Sequence, residues 1–259
     1  MPEGDTLRHA QAALAPVLEG QVATHLWFRK IRGYRPRVGQ RIERVDAVGK
    51  HLLIEFDRNL TLDTHLGMAG SWRALPVEAR LPTTPTLRIV ISTVKGHALC
   101  FSAPVIQTFL RTADRTPISD LGPDLSDDDV DLDEVVRRTR AGDRTRTIAE
   151  LLLDQSIAAG VGNVFKSEAL FVAGVHPFRP VGELTDAMLR EVWRIAHRQL
   201  VANRETRSRT TTARGDAGRT YVYGRKHLGC RRCNIAIEYS PAGERAGRST
   251  YWCPTCQPA

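Results

Sequence analysis

The stretch that decides the architecture is RTIAELLLDQSIAAGVGNVFKSEALFVAG, Arg146 to Gly174. Its apolar residues recur at helical spacing on either side of a glycine pair, which predicts helices over Arg146–Gly160 and Asn163–Gly174. Gly160 and Gly162 permit the tight turn between them, and Asn163 stands where the second helix begins. A helix N-terminus offers unpaired N–H groups and the positive end of the dipole, so this turn is a candidate phosphate contact. A dinucleotide fold is excluded, because no strand precedes the glycines and the third glycine is missing.

Outward from this turn the chain changes character. TDAMLREVWRIAHRQLVANR (Thr185–Arg204) reads as a further helix. Upstream, ISDLGPDLSDDDVDLDE (Ile118–Glu134) holds eight carboxylates and no base, and reads as a solvated linker entering a helix capped by Ser126. Before it lie strand signals in HLWF (His25–Phe28), KHLLIEFD (Lys50–Asp57), TLDTHL (Thr61–Leu66) and TLRIVIS (Thr86–Ser92). These imply a mostly antiparallel sandwich. One helix precedes it, with Leu7, Ala10, Leu14 and Leu18 on a face and Gly20 as its stop. The expected fold class is α+β.

Four of the five cysteines form CRRC (Cys230, Cys233) and CPTC (Cys253, Cys256), with 19 residues between the pairs. Each C-x2-C turn offers two thiolates to one face, and a hairpin unites the turns as a tetrahedral site. Four sulfur ligands leave no open position, so one structural zinc ion is expected. IAIEY and RSTYW are the hairpin strands, PAGERAG connects them, and Arg248 starts the second. Cys100, in HALCFS, reads as a small buried hydrophobe.

The 259 residues carry a net charge of +8, and from Asn203 to Ala259 there are 11 Lys and Arg against 4 Asp and Glu. A basic terminal region points to a polyanionic partner. No apolar run approaches the roughly 20 residues of a membrane span, and no secretory pattern opens the chain. A cytoplasmic protein without a membrane partner is expected. The opening MPEGDT has a reading of its own. Trimming of Met1 exposes the Pro2 amine, whose pKa of roughly 7.7–8 leaves a nucleophilic fraction neutral. Glu3 beside it supplies an acid/base group, the pairing that imine chemistry needs. Pro followed by Glu also begins ordinary helices.

Taken in order, these residues resemble the formamidopyrimidine-DNA glycosylase / endonuclease VIII family. MPEGDT is similar to its N-terminus, VGKHLLIEF to its lysine-bearing strand and HLGMAGSW to its DNA-wedge loop. LGPDL resembles its interdomain linker, LLLDQSIAAGVGNVFKSEALFVAGVHP its helix–two-turn–helix, and YGRKHLGCRRC through GRSTYWCPTCQ its zinc finger. The resemblance implies a β-sandwich catalytic domain over 1–120, an acidic linker over 121–134, a helix–two-turn–helix domain over 135–215 and a zinc finger over 216–259. It implies a bifunctional DNA glycosylase/lyase of base-excision repair acting on damaged double-stranded DNA, as a monomer, without a small-molecule cofactor, at the bacterial nucleoid. Pro2 is then the nucleophile and Glu3 the acid/base group. Lys50 and Arg248 are associated with phosphate contact and with β- and δ-elimination. Asn163 and His65 contact phosphate, and Met68 is the wedge. Thr6 stands where the formamidopyrimidine branch usually has glutamate. CFSAPVIQTFL lacks that branch's Arg and Phe, and RGDAGRTYVYGR is short for a loop capping an oxidised purine. The sequence therefore leans to the endonuclease VIII branch and to oxidised pyrimidines. The alternative is a catalytically silent zinc-ribbon DNA-binding protein of the same fold.

Overall fold

The computed structural model describes residues 2–206, 208–213, 218–242 and 248–259. They form two compact units, 1–120 and 121–259. In the first, helix α1 (Gly4–Leu18) buries Leu7, Leu14 and Leu18 completely, as their spacing demands. Eight strands follow: β1 (His25–Phe28), β2 (Ile42–Val48), β3 (His51–Phe56), β4 (Leu60–His65), β5 (Ser71–Leu75), β6 (Leu87–Thr93), β7 (Gly96–Phe101) and β8 (Val105–Leu110). They make two antiparallel sheets, ordered β1-β6-β7-β5 and β2-β3-β4-β8. Val45, Ile54 and Leu62 from one sheet and Trp72, Ile89 and Cys100 from the other close the core with α1. Burial pushes the Cys100 thiol up to about 12, so it is an inert apolar filler there.

Lys50 lies one residue outside the strand that the sequence assigns to it. Val48 pairs with His51, leaving Gly49 and Lys50 as a two-residue hairpin turn. Gly49 has φ +58°, the positive dihedral that such a turn requires at its first position. The strands β2, β5, β7 and β8 lie outside the four stretches that the sequence singles out. In β2 charged residues interrupt the apolar alternation, as in Ile42-Glu-Arg-Val45.

The second unit holds α2 (Leu132–Ala141), α3 (Ile148–Leu151), α4 (Asn163–Ala173) and α5 (Asp186–Asn203), then the strand pair β9 (Glu238–Ser240) and β10 (Thr250–Trp252). Two expectations need correction. Ser126 does not cap a helix: it is buried and donates to Asp124 Oδ1 at 2.6 Å. Asp131 caps α2 instead, accepting the N–H groups of Asp133 and Glu134. The acidic segment is also not solvated throughout. Leu125 is fully buried, and its N–H reaches Ala159 O at 2.9–3.0 Å together with the return bond from Ala159 to Pro123.

The helix expected over Arg146–Gly160 contracts to the single turn of α3. Thr147 caps it and Glu150 completes a capping box, but Asp154 then captures Ser156 through its N–H and hydroxyl. The Gln155 side chain bridges Leu153 O, Val161 O and Gly160 N–H, replacing helical bonds with turn bonds. Ile157 and Ala158 still reach the same core, which is why apolar spacing alone gives no warning. By contrast α4 ends at Gly174, with φ +69°, where the sequence places its stop.

Around α4 the unit is tied by buried charge. Glu168 accepts the backbone N–H groups of Tyr221, Val222 and Tyr223 at 2.7–2.8 Å and the Thr211 hydroxyl. Lys166, also fully buried, donates to Ser249 O at 3.0 Å and Thr250 Oγ1 at 2.8 Å. One helix therefore holds both the 211–223 segment and β10. No helix among the described residues is long and apolar enough to cross a membrane.

Two stability tests follow from this packing. Trp193 is fully buried and its Nε1–H donates to Thr139 Oγ1 at 3.0 Å. Trp193→Ala should cost about 3–5 kcal/mol in urea unfolding, and a loss under 1 kcal/mol would contradict the packing. Glu168→Ala strands two buried N–H donors and a half-buried third, so a loss on the order of 3–5 kcal/mol is expected. Amide exchange should then accelerate at Tyr221, Val222 and Tyr223 before it does in α5.

Candidate functional site

At the head of the chain Pro2 is half-buried and Glu3 is wholly buried as the N-cap of α1. The cap forms because Glu3 is extended (φ −133°) and its N–H donates to Thr6 Oγ1 at 3.4 Å. Asp5 Oδ1 accepts the Thr6 N–H at 2.7 Å, so Thr6 is occupied in starting the helix. A carboxylate and a proline nitrogen are thereby held side by side at a fixed helix end.

The strands β3, β4 and β8 present a second group on one sheet face. His51 lies opposite His65, and Asp63 opposite Gln107. Buried Asp63 accepts from Gln107 at 2.9 Å and pairs with His51 Nδ1 at 2.9 Å. The two histidine rings meet edge to face at 5.4 Å. Burial holds His65 below the ordinary histidine value, and the charges of His51 and Lys50 push it further down against the pull of Asp63. Its Nδ1 accepts the Gly67 N–H at 3.2 Å, which leaves Nε2 as the N–H that a phosphate oxygen could accept. Directly after it, Leu66–Gly70 make a tight turn closed by Gly70 N–H to Leu66 O at 2.8 Å. A Cβ on Gly70 would sit 2.3 Å from that oxygen, so only glycine closes it. The turn lifts Met68 into solvent, 70% exposed. An apolar side chain raised on a turn has no core to fill there.

In the second unit, Asn163 is the first residue of α4 and its Nδ2 donates to Ser249 Oγ at 3.0 Å. Its Oδ1 is buried without a hydrogen-bond partner among the described residues. The reversed amide would accept the Ser249 hydroxyl and turn an Nδ2 donor to that position, beside the helix N-terminus. Arg248 is exposed and adjoins Ser249, its carbonyl accepting from Thr250 Oγ1 at 3.1 Å. Arg248 does not start the second strand as expected: β10 begins at Thr250, and Lys166 fixes Ser249 and Thr250, just after Arg248, against the helix that carries Asn163.

Cys230, Cys233, Cys253 and Cys256 bring their sulfur atoms within 4.8 Å of one another. Separations of 3.9 Å (Cys230–Cys256) and 3.4 Å (Cys233–Cys253) exclude disulfides, which need about 2.0 Å. They suit thiolates around one ion, since four bonds of about 2.3 Å in a tetrahedron separate sulfurs by about 3.8 Å. The Ile235 N–H helps bring the Cys233 thiol down to about 7. Burial pushes Cys253 and Cys256 up, so their ionisation calls for a cation among them. The cluster can bind a metal ion and has the donor set of zinc.

Pro2, Glu3, Lys50, His65 and Met68 belong to the first unit, and Asn163, Arg248 and the four cysteines to the second. Of the PAGERAG connection, Gly243–Gly247 lie outside the described residues, as do Met1 and residues 214–217 of RGDAGRTYVYGR. The sequence reading missed Lys166, Glu168 and Ser249, which position the others, and the His51–Asp63–Gln107 set. The one available signal was two opposite charges, KSE, inside an otherwise apolar helix.

Residues 1–105 match the formamidopyrimidine-DNA glycosylase N-terminal domain, and residues 121–214 the formamidopyrimidine-DNA glycosylase H2TH domain. The DNA-(apurinic or apyrimidinic site) lyase Nei2 of Mycolicibacterium smegmatis is 39% identical over the whole of both chains. The probable endonuclease 8 2 of Streptomyces coelicolor is 37% identical over 99% of this chain and 94% of its own. The crystal structure of MutM (Fpg) from Thermus thermophilus superposes with a TM-score of 0.82 at 30% identity, covering 99% and 98% of the two chains. With both domain models matched in order and relatives aligned from end to end, the chain belongs to the formamidopyrimidine-DNA glycosylase / endonuclease VIII family, on the endonuclease VIII branch.

Proposed function

We propose that this protein is a bifunctional DNA glycosylase/AP lyase of base-excision repair that works through its N-terminal proline. The observation that carries the reading is the buried Glu3 carboxylate fixed beside Pro2 at the head of α1, in a chain aligned throughout with a named AP lyase. With Met1 removed, the Pro2 nitrogen attacks C1′ of the damaged nucleotide and the N-glycosidic bond breaks, the base leaving with a proton. Glu3 delivers and accepts protons as the sugar ring opens. The iminium so formed acidifies the C2′ proton, whose loss expels the 3′ phosphate, and a second elimination expels the 5′ phosphate. Lys50 and Arg248 hold the phosphates that leave.

DNA is gripped by Asn163 at the α4 N-terminus and by His65 through Nε2. Met68 enters the stack where the target nucleotide is turned out, a place for an apolar wedge. Zinc in the four-cysteine cluster supplies no chemistry. Its ligands hold the β9–β10 hairpin that carries Arg248. Oxidised pyrimidines are the favoured substrates, because Thr6 stands where the formamidopyrimidine branch usually has glutamate, CFSAPVIQTFL lacks that branch's Arg and Phe, and RGDAGRTYVYGR is short for a loop capping an oxidised purine. The reading places the enzyme in the bacterial cytoplasm, acting as a monomer on damaged duplex.

Borohydride trapping tests the chemistry. On a duplex with one oxidised pyrimidine the wild type should give an adduct that maps to Pro2, and Glu3→Gln should lower its yield by about 10²-fold or more. Adduct on an abasic duplex alone would reduce the reading to a lyase. Binding without any adduct, with Met1 shown to be absent, would point to a silent binder.

Metal content tests the ribbon. One zinc per chain is expected by elemental analysis, and a strong chelator should melt the hairpin and abolish retention on DNA. Metal-free protein with unchanged thermal unfolding would sink the zinc assignment.

A further inference from the structure

The first unit carries a basic groove that none of the residues discussed so far explains. Its run Phe28–Arg41, FRKIRGYRPRVGQR, has six bases and no acid. Arg29, Lys30, Arg32, Arg35 and Arg88 line a cavity of about 900 Å³ whose other wall is Ser102–Ile106, and no carboxylate borders it. None of these five cations forms an ion pair with a carboxylate among the described residues, although Arg8, Arg44, Arg111 and Arg115 of the same unit do. Arg29 and Arg88 even converge, each donating to the Pro85 carbonyl oxygen at 2.7 Å. Bringing like charges together without a counter-charge opposes folding, and an arriving polyanion reverses that penalty.

The groove is also built firmly. Arg32 exchanges backbone bonds with Ile106 and Thr108 at 3.1 and 2.8 Å, and Thr108 Oγ1 donates to Tyr34 O at 2.7 Å. A Cβ at Gly33 would lie 2.6 Å from Thr108 O, so the loop lies directly on β8. Its position in the sheet ties it to the candidate site. Val105, in the groove wall, pairs with His65, and Pro104 packs on Gly67 in the turn that lifts Met68.

We infer that this groove binds the phosphodiester backbone of duplex DNA beyond the nucleotide held at Lys50, His65 and Met68, and so sets how much flanking duplex the protein requires. The inference rests on the proposed function for its polyanion, but not on the proline chemistry.

The test is fluorescence anisotropy on duplexes holding one abasic-site analogue, shortened stepwise from either end, across a salt series. Wild type should lose affinity as one flank is trimmed. Arg29→Gln/Arg32→Gln/Arg35→Gln should lose that length dependence, and its plot of log affinity against log salt should become shallower by about 2–3. A control, Arg115→Gln/Arg137→Gln/Arg190→Gln, removes three arginines that are paired with Asp120, Glu134 and Asp133 and should keep the length dependence. Equal behaviour of the groove variant and wild type, or equal loss in the control, would overturn the inference. Absence of a borohydride adduct with the length dependence intact would instead count against the proline mechanism and leave the groove standing.

Discussion

The second unit depends on two opposite charges buried two residues apart in α4. Lys166 and Glu168 are both withdrawn from water. Each is satisfied by a different piece of chain, Lys166 by Ser249 and Thr250, Glu168 by Thr211 and residues 221–223. A buried charge tolerates no loosening of its partners, because an unpaired charge there costs several kcal/mol. The short β9–β10 hairpin could not hold a fixed orientation on its own area. It gains one from the helix. The four-cysteine cluster and the buried lysine therefore divide a single task, one joining the two ends of the hairpin and the other fixing it to α4.

In the first unit the constraint is geometric. Side chains of β4 alternate between a core face and an outer face, so Leu62 and Thr64 turn inward while Asp63 and His65 share the outer one. Register places His51 and Gln107 beside them. A polar network thus arises on a sheet whose other face is apolar apart from Thr64, whose hydroxyl accepts from Trp72 Nε1, and the hairpin turn at Gly49 sets Lys50 at its end. The Met68 turn and the groove adjoin the same strand ends, through Gly67–Pro104 and His65–Val105.

Much of this was legible. The cysteine spacing announced the four-sulfur cluster, the Leu7–Leu18 stripe announced α1, and Gly174 announced the end of α4. Element interiors were read well where periodicity was strong. The misread helix and cap share a cause: local side-chain bonds competing with the backbone. Asp154 and Gln155 dismantled a helix that apolar spacing supported, and Asp131 took the capping role that Ser126 had on composition. Lys166 and Glu168 were illegible because their meaning lies in partners 43 to 84 residues away. A charge in a helix looks solvent-facing until tertiary contacts enclose it.

The Glu168 carboxylate has one further consequence. It receives Thr211 with one oxygen and the start of the 221–223 run with the same oxygen. Both ends of the intervening segment are thus anchored at one point. Closing a longer segment between fixed ends costs little, since the entropy rises only with the logarithm of length. A change in the number of residues between Thr211 and Tyr221 would therefore leave α4 and the four-cysteine hairpin in place, so the fold sets no fixed length for this segment.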